Sequence, residues 1–145
     1  MKVEAATQND VSAIANILSH WNAATPWMPR VHSRAAEKYF ARMMVSRGWV
    51  TVARQGSRLV GFLARDGGEV HALYVAVGMR RYGVGKLLLD AAKSDTQALG
   101  LYTFVANEDA QRFYLREGFL ERGRTNGAGN DEGLPDIRYE WSFEQ

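Results

Sequence analysis

The chemistry of this chain concentrates in Leu73-Tyr-Val-Ala-Val-Gly-Met-Arg-Arg-Tyr-Gly-Val-Gly-Lys-Leu-Leu-Leu89. A short apolar run enters a turn carrying Arg80, Arg81, Gly83 and Gly85, and a helix pattern follows at once. The first N–H groups of a helix have no intrahelical partner, and the helix dipole favours an anion beside them. Glycine lets the backbone approach such a ligand with no Cβ in the way. The segment therefore reads as a cradle for a pyrophosphate. It is not a P-loop, because Val84 stands where that motif needs lysine. Nor is it a dinucleotide fingerprint, since Leu88 occupies the place of the third glycine. A turn whose glycines only permit tight helix–strand packing is the bland alternative. Two adjacent arginines, surplus to any turn, count against it.

The elements around the cradle follow from periodicity. Lys2 to Ala6 reads as a strand, and Thr7 with Asp10 three residues on resembles a capping arrangement. Val11, Ile14, Ala15 and Leu18 carry the spacing of an amphipathic helix. Pro26 and Pro29 prevent Trp21 to His32 from being one regular helix. A second helix starts after Ser33, with Ala36, Phe40, Met43 and Met44 on one face. Residues 49–53 and 59–64 form a hairpin through Gln55-Gly56-Ser57, and Asp66-Gly67-Gly68 turns into a third strand, Glu69 to Val75. The helix after the cradle buries Val84, Leu87, Leu88, Ala91 and Ala92, and Gly100 ends it. A strand at 101–105, a helix from Asn107 to Glu117, and strands at 119–124 and 137–143 complete the chain. The fold class is α/β, or α+β with a mixed sheet. Strands 69–75 and 101–105 flank a helix and should be parallel through a right-handed crossover.

Composition narrows the function classes. A length of 145 residues implies a single domain spanning 1–145. A net charge of +2 is too weak for a nucleic-acid signature, and the densest cations, Arg80, Arg81 and Lys86, sit on the cradle. No apolar run approaches the roughly 20 residues of a membrane span. Met1-Lys-Val-Glu-Ala-Ala has no signal-peptide apolar region, which points to the cytoplasm. With no cysteine, disulfides, a thiolate zinc site and a cysteine nucleophile are excluded, and His20 and His32 stand in no metal-ligand pattern.

Two spaced motifs give a resemblance. Arg80-Arg-Tyr-Gly83-Val-Gly85 resembles the Arg/Gln-x-x-Gly-x-Gly/Ala signature of the GNAT superfamily, the acetyl-CoA-dependent N-acetyltransferases. Asn107-Glu-Asp-Ala110-Gln-Arg-Phe113-Tyr114-Leu-Arg-Glu-Gly118-Phe119 is similar to its second signature, one helix and one strand later. The resemblance covers essentially the full length. It implies a mostly antiparallel central sheet with a splayed parallel pair and helices on both faces. It also implies that backbone N–H groups of Arg81, Tyr82, Gly83, Val84, Gly85 and Lys86 bind the pyrophosphate of acetyl-CoA, with Arg80 nearby. Pantetheine would then lie along Leu73-Tyr74-Val75, pairing with Leu73 and Val75 main chain like an added strand. Asn107 would hydrogen-bond the pantetheine arm, and Tyr114 would lie near the thioester sulfur. No metal is implied, and homodimers are frequent in similar proteins.

Acetyl transfer to an amine needs a neutral amine, a stabilised oxyanion and a proton for the departing thiolate. The Val75 N–H is the expected oxyanion donor. Tyr114 is the expected acid, because a phenol of pKa about 10 can donate to a thiolate; packing beside Phe113 is its structural alternative. Glu69, fourteen residues before Gly83, stands where the resemblance implies a strand-borne glutamate base, against a solvated strand start. His71, two residues on and facing the same way by alternation, is a second candidate or a substrate contact. Trp21 and Trp27, in a proline-stiffened segment, suit either an acceptor pocket or a lid over the core. The acidic group Asn130-Asp131-Glu132 with Asp136 could attract a cationic amine or belong to a solvated turn. The sequence leaves the amine acceptor unnamed and keeps a non-catalytic acyl-CoA sensor as the alternative.

Overall fold

Alternating apolar residues produce strands here, and 3.6-residue periodicity produces helices. The computed structural model describes residues 1–144. Among these the order is β1 (Lys2–Ala5), α1 (Val11–Ala24), α2 (Arg34–Ser46), β2 (Val50–Gln55), β3 (Arg58–Asp66), β4 (Glu69–Val75), α3 (Val84–Asp95), β5 (Ala98–Phe104), α4 (Glu108–Arg116), β6 (Leu120–Thr125) and β7 (Asp136–Ser142). The strands form one sheet in the order β1-β2-β3-β4-β5-β7-β6. Neighbours are antiparallel except β4 and β5, which are parallel across the α3 crossover. The mixed sheet expected from the element order is therefore present.

Each face of the sheet has its own core. Leu88 and Leu89 of α3 and Tyr114 of α4 pack with Leu101, Phe119, Ile137 and Tyr139 on one side. Ile14 of α1 and Ala41 and Met44 of α2 pack with Val52 and Phe62 on the other. No helix among the described residues is long and apolar enough to cross a membrane.

Three local expectations need correction. Helix α1 runs on to Ala24 and takes Trp21 with it, and the proline segment starts only after Thr25, whose hydroxyl donates to Trp21 C=O at 2.6 Å. The buried stripe of α2 is Glu37, Ala41, Met44 and Val45, one residue on from the expected face, while Phe40 is exposed. A charge enters that stripe because Arg30 donates to Glu37 at 2.8 Å. Gly100 does not end α3. That helix stops at Asp95 with Thr96 extended, and Gly100 lies buried inside β5.

The start of α1 is tied to the sheet by one buried carboxylate. Asp10 accepts the Thr7 N–H at 2.8 Å and Arg54 Nη2 at 2.9 Å, while Arg54 Nε donates to Glu4 at 2.5 Å. The Arg54 guanidinium, aided by the Thr7 N–H, holds the Asp10 carboxyl below its usual range. A depressed folded value gives stability that is present above the unfolded pKa, about 3.9, and is lost as pH falls through the folded one. Asp10→Asn should cost about 1–2 kcal/mol in urea unfolding at pH 7, with the difference shrinking below about pH 4. An equal loss at pH 7 and pH 2.5 would contradict this role.

Candidate active site

Strands β4 and β5 meet at a single register point, Glu69 opposite Gly100, where Gly100 N–H donates to Gly68 C=O at 2.8 Å. Beyond it β4 stays paired with β3 as far as Val75, and β5 stays paired with β7 as far as Phe104. Each half-sheet is thus complete, and only the seam between them opens. Ala76 N–H donates to Val60 C=O at 2.8 Å. Antiparallel alternation then turns the main chain of Ala72 and Tyr74 toward β3 and that of Leu73 and Val75 toward the gap. The result is a cleft of about 890 Å³, lined by both strands, α3, α4 and the end of α1.

The cradle closes the wide end of this V. Gly83, at the N-cap of α3, has φ 76°, and Arg81 has φ 73°. A non-glycine residue held in the left-handed region costs roughly 1–2 kcal/mol, and such strain gathers at ligand-binding turns. Val84 is buried and anchors the turn in the core, while Gly85 lets Phe113 of α4 come close. Arg80, Arg81 and Tyr82 stay exposed. The Lys86 ammonium is engaged elsewhere, with Glu117 at 3.1 Å and Asp90 at 3.4 Å. What the turn offers a ligand is therefore main-chain N–H plus two arginines.

Asn107 caps α4, its Oδ1 accepting the Ala110 N–H at 3.1 Å. The cap uses the side-chain carbonyl oxygen, and Asn107 lines the cleft. Seven residues on, Tyr114 is buried among Phe113, Phe119 and Tyr139 and lines the cleft. Tyr74 lines it from the opposite face of the sheet, packed with Phe62. Burial, with the charge of Glu132 added, pushes the Tyr74 phenol up to about 12. Burial raises the Tyr114 phenol as well, and Tyr74 adds to that rise. The two rings belong to different cores, and both line the cleft.

Trp21 and Trp27 span the seam on the α1 side. Trp21 meets Tyr74 of β4 edge-on at 5.3 Å, Trp27 meets Phe104 of β5 at 5.8 Å, and the two indoles meet at 5.9 Å. Phe104 was not singled out in the sequence; its place at a strand end facing Trp27 depends on a contact that no local pattern carries. The loop after β6 reaches this side too, with Asp131 bonded to His32 at 3.1 Å. Asp136 is not aimed at an acceptor. It is buried and takes hydrogen bonds from the Thr125 hydroxyl and, at 3.3 Å, from Asn130 Nδ2.

Glu69 and His71 do not form a pair. The register against β3 jumps from Val70–Arg65 to Ala72–Ala64, which leaves His71 as the extra residue of a β-bulge. His71 stacks on Trp49 at 4.9 Å, whereas Glu69 accepts from Arg138 Nη1 of β7 at 2.8 Å. Strict alternation assumed an unbroken strand, and the bulge breaks it. Arg138 was also missed. Its one sequence signal is Gly100, which the structure places inside β5, where a lone glycine marks a close approach.

In a spectrophotometric alkaline titration, Tyr74→Phe should remove a phenol that ionises near pH 12. Loss of a phenol titrating near pH 10, the ordinary value of about 10, would contradict the buried arrangement.

Comparison with known proteins agrees with this geometry. The family described as an acetyltransferase (GNAT) domain matches residues 9–143. Over 77 residues the chain is 34% identical to the peptidyl-lysine N-acetyltransferase YjaB of Escherichia coli K12, covering 53% of this chain and 52% of that protein. The Salmonella typhimurium protein of the same name is 37% identical over 79 residues, with the same coverage. The chain spans about half the length of these curated relatives in the matched region. Among solved structures, apo YjaB from Escherichia coli superposes with a TM-score of 0.80 at 21% identity, over 97% of this chain and 96% of that one. The putative acetyltransferase yncA of Salmonella typhimurium, solved with acetyl-CoA, gives 0.74 at 20% identity, over 100% and 95%. These two likenesses speak for the fold, and the family match carries the assignment: the chain belongs to the GNAT acetyltransferase family.

Proposed function

We propose that the chain is a single acetyltransferase domain that moves an acetyl group from acetyl-CoA to a primary amine by direct attack in a ternary complex. The observation that carries this reading is the open seam between β4 and β5 ending in the strained cradle at Arg81–Gly83. A pantetheine arm supplies amide groups at strand-like spacing, which suits the main chain of Leu73 and Val75. The pyrophosphate meets the N–H groups of Arg81 to Lys86 with Arg80 beside it, and Asn107 Nδ2 donates to the arm.

In the reaction the amine nitrogen attacks the thioester carbonyl carbon, and the Val75 N–H donates to the oxyanion. The C–S bond then breaks, its electron pair stays on sulfur, and the proton shed by the attacking nitrogen passes to that sulfur, so a neutral amide and CoA thiol result. Tyr114 is the donor to that sulfur. Its raised pKa keeps the phenol protonated, so its main contribution is a hydrogen bond to the developing thiolate in a water-poor site. Glu69, at the closed end of the V, takes the ammonium proton through water. No cysteine exists to form an acyl-enzyme, which agrees with direct transfer.

The acceptor enters from the α1 side, against Trp21, Trp27 and His71. Aromatic faces receive both an aliphatic stem and a cation. The curated relatives are named for peptidyl-lysine, so the lysine side chain is the first acceptor to try. The cytoplasm is the compartment proposed.

Purified protein incubated with acetyl-CoA and a panel of amines and lysine peptides should release free thiol with at least one of them. Acetyl-CoA binding without thiol release on any would support a sensor instead. Tyr114→Phe should lower kcat about a hundredfold while changing CoA affinity little; an unchanged kcat removes Tyr114 from the mechanism. Trp27→Ala should raise the acceptor KM about tenfold and leave acetyl-CoA binding alone, since an apolar contact of this kind is worth roughly 1–3 kcal/mol. A rise in acetyl-CoA Kd of the same size would place Trp27 on the donor side.

A further inference from the structure

A single ladder pair joins β4 to β5, with the Gly100 N–H to Gly68 C=O bond beside it, which is little to fix the angle at which two strands diverge. A second tie crosses the same point. Arg138 lies on β7, opposite Tyr102 of β5, with β5 between it and β4. Its side chain reaches over β5 so that Nη1 donates to Glu69 on β4 at 2.8 Å, while Nε donates to Glu140 at 3.2 Å. The guanidinium rests over the Tyr102 ring, 4.9 Å from its centroid. Gly100 makes the crossing physically possible. A Cβ there would fall 2.7 Å from Arg138 Cζ and closer still to Nη2. The planar guanidinium has donors enough to serve two carboxylates at once, which an ammonium on a flexible stem does not match.

We propose that Arg138 is a positioning residue that, seated over Gly100, pins β4 to β7 at the apex of the V and so sets how wide the seam opens. Rotation of β4 about an unpinned apex would move the Leu73 and Val75 main chain away from β5 without disturbing the cradle, which is anchored separately by Val84. The consequence for catalysis rests on the acetyltransferase reading: the donor still binds, but its thioester is misaligned with the Val75 N–H and Tyr114. The pin also holds Glu69 in place, so Glu69 has a positioning role whether or not it also moves a proton.

The test combines a structural readout with a kinetic one. Amide hydrogen exchange of Gly100, whose N–H bonds Gly68, should speed up at least tenfold in Arg138→Met and in Gly100→Ala, with β2–β3 amides unchanged. This readout needs no substrate and stands even if no amine turns over. With the best acceptor found in the panel, both variants should lose about tenfold in kcat with acetyl-CoA Kd within about twofold, and Arg138→Lys should fall between them and wild type. Glu69→Gln combined with Arg138→Met should be no worse in Gly100 exchange than either alone, because the pair acts as a unit. Unchanged Gly100 exchange in Arg138→Met overturns the pin. Faster exchange with unchanged kcat overturns its catalytic role. Absence of turnover in wild type, with the exchange result intact, counts against the acetyltransferase reading and not against the pin. A base role for Glu69 shows separately, as a kcat loss in Glu69→Gln that shrinks with weakly basic amines and exceeds the loss in Arg138→Met, which leaves the carboxylate present.

Discussion

Everything functional in this molecule depends on two parallel strands that stop pairing after one residue. A sheet interior normally satisfies each backbone N–H and C=O, and an interior seam left open is costly unless something else meets those groups. Here β4 and β5 part beyond Glu69 and Gly100, so the Leu73 and Val75 main chain faces a cleft in place of a neighbour. The two half-sheets compensate by being well paired on their own: β1–β4 and β5–β7–β6 keep antiparallel ladders along their strands, interrupted only by local register shifts. The seam behaves as a strand position kept vacant by the fold, and a ligand with amide groups at strand spacing is what fits it.

The separate cores on the two faces divide the work. The α3–α4 side brings the cradle, Asn107 and Tyr114, which line the cleft and are proposed to address the donor. The α1–α2 side brings Trp21 and Trp27, bridging Tyr74 to Phe104 across the seam. Side chains from both sides line the cleft at the seam, Tyr74 from one and Tyr114 from the other. In the proposed reaction, donor and acceptor approach from opposite faces and meet between the strands.

What was legible in the sequence is what is encoded locally. Left-handed turns require glycine or accept strain, so Gly83 and its arginines stand out in one short segment. Strand and helix periods are likewise local, and the element order followed from them. Asn107 and Tyr114 became visible through the resemblance of residues 107–119 to a GNAT signature. Features set by distant partners were not legible. The bulge at His71 arises from the register against β3, and it parted Glu69 from His71. The buried stripe of α2 shifted by one residue because Arg30 neutralises Glu37. Gly100 was read as a helix stop because a glycine after an apolar helix usually is one; its actual reason, the guanidinium of Arg138 crossing above it, lies 38 positions away in the chain.

The central claim is that the cofactor arm completes the sheet along β4. Residue-resolved amide exchange with and without CoA measures this directly. The account predicts that the Leu73 and Val75 amides, which face the seam, gain protection on binding, while Ala72 and Tyr74, already bonded to β3, stay as they were. Equal protection along all four residues, or none at Leu73 and Val75 while the Gly83–Lys86 amides respond, would contradict it.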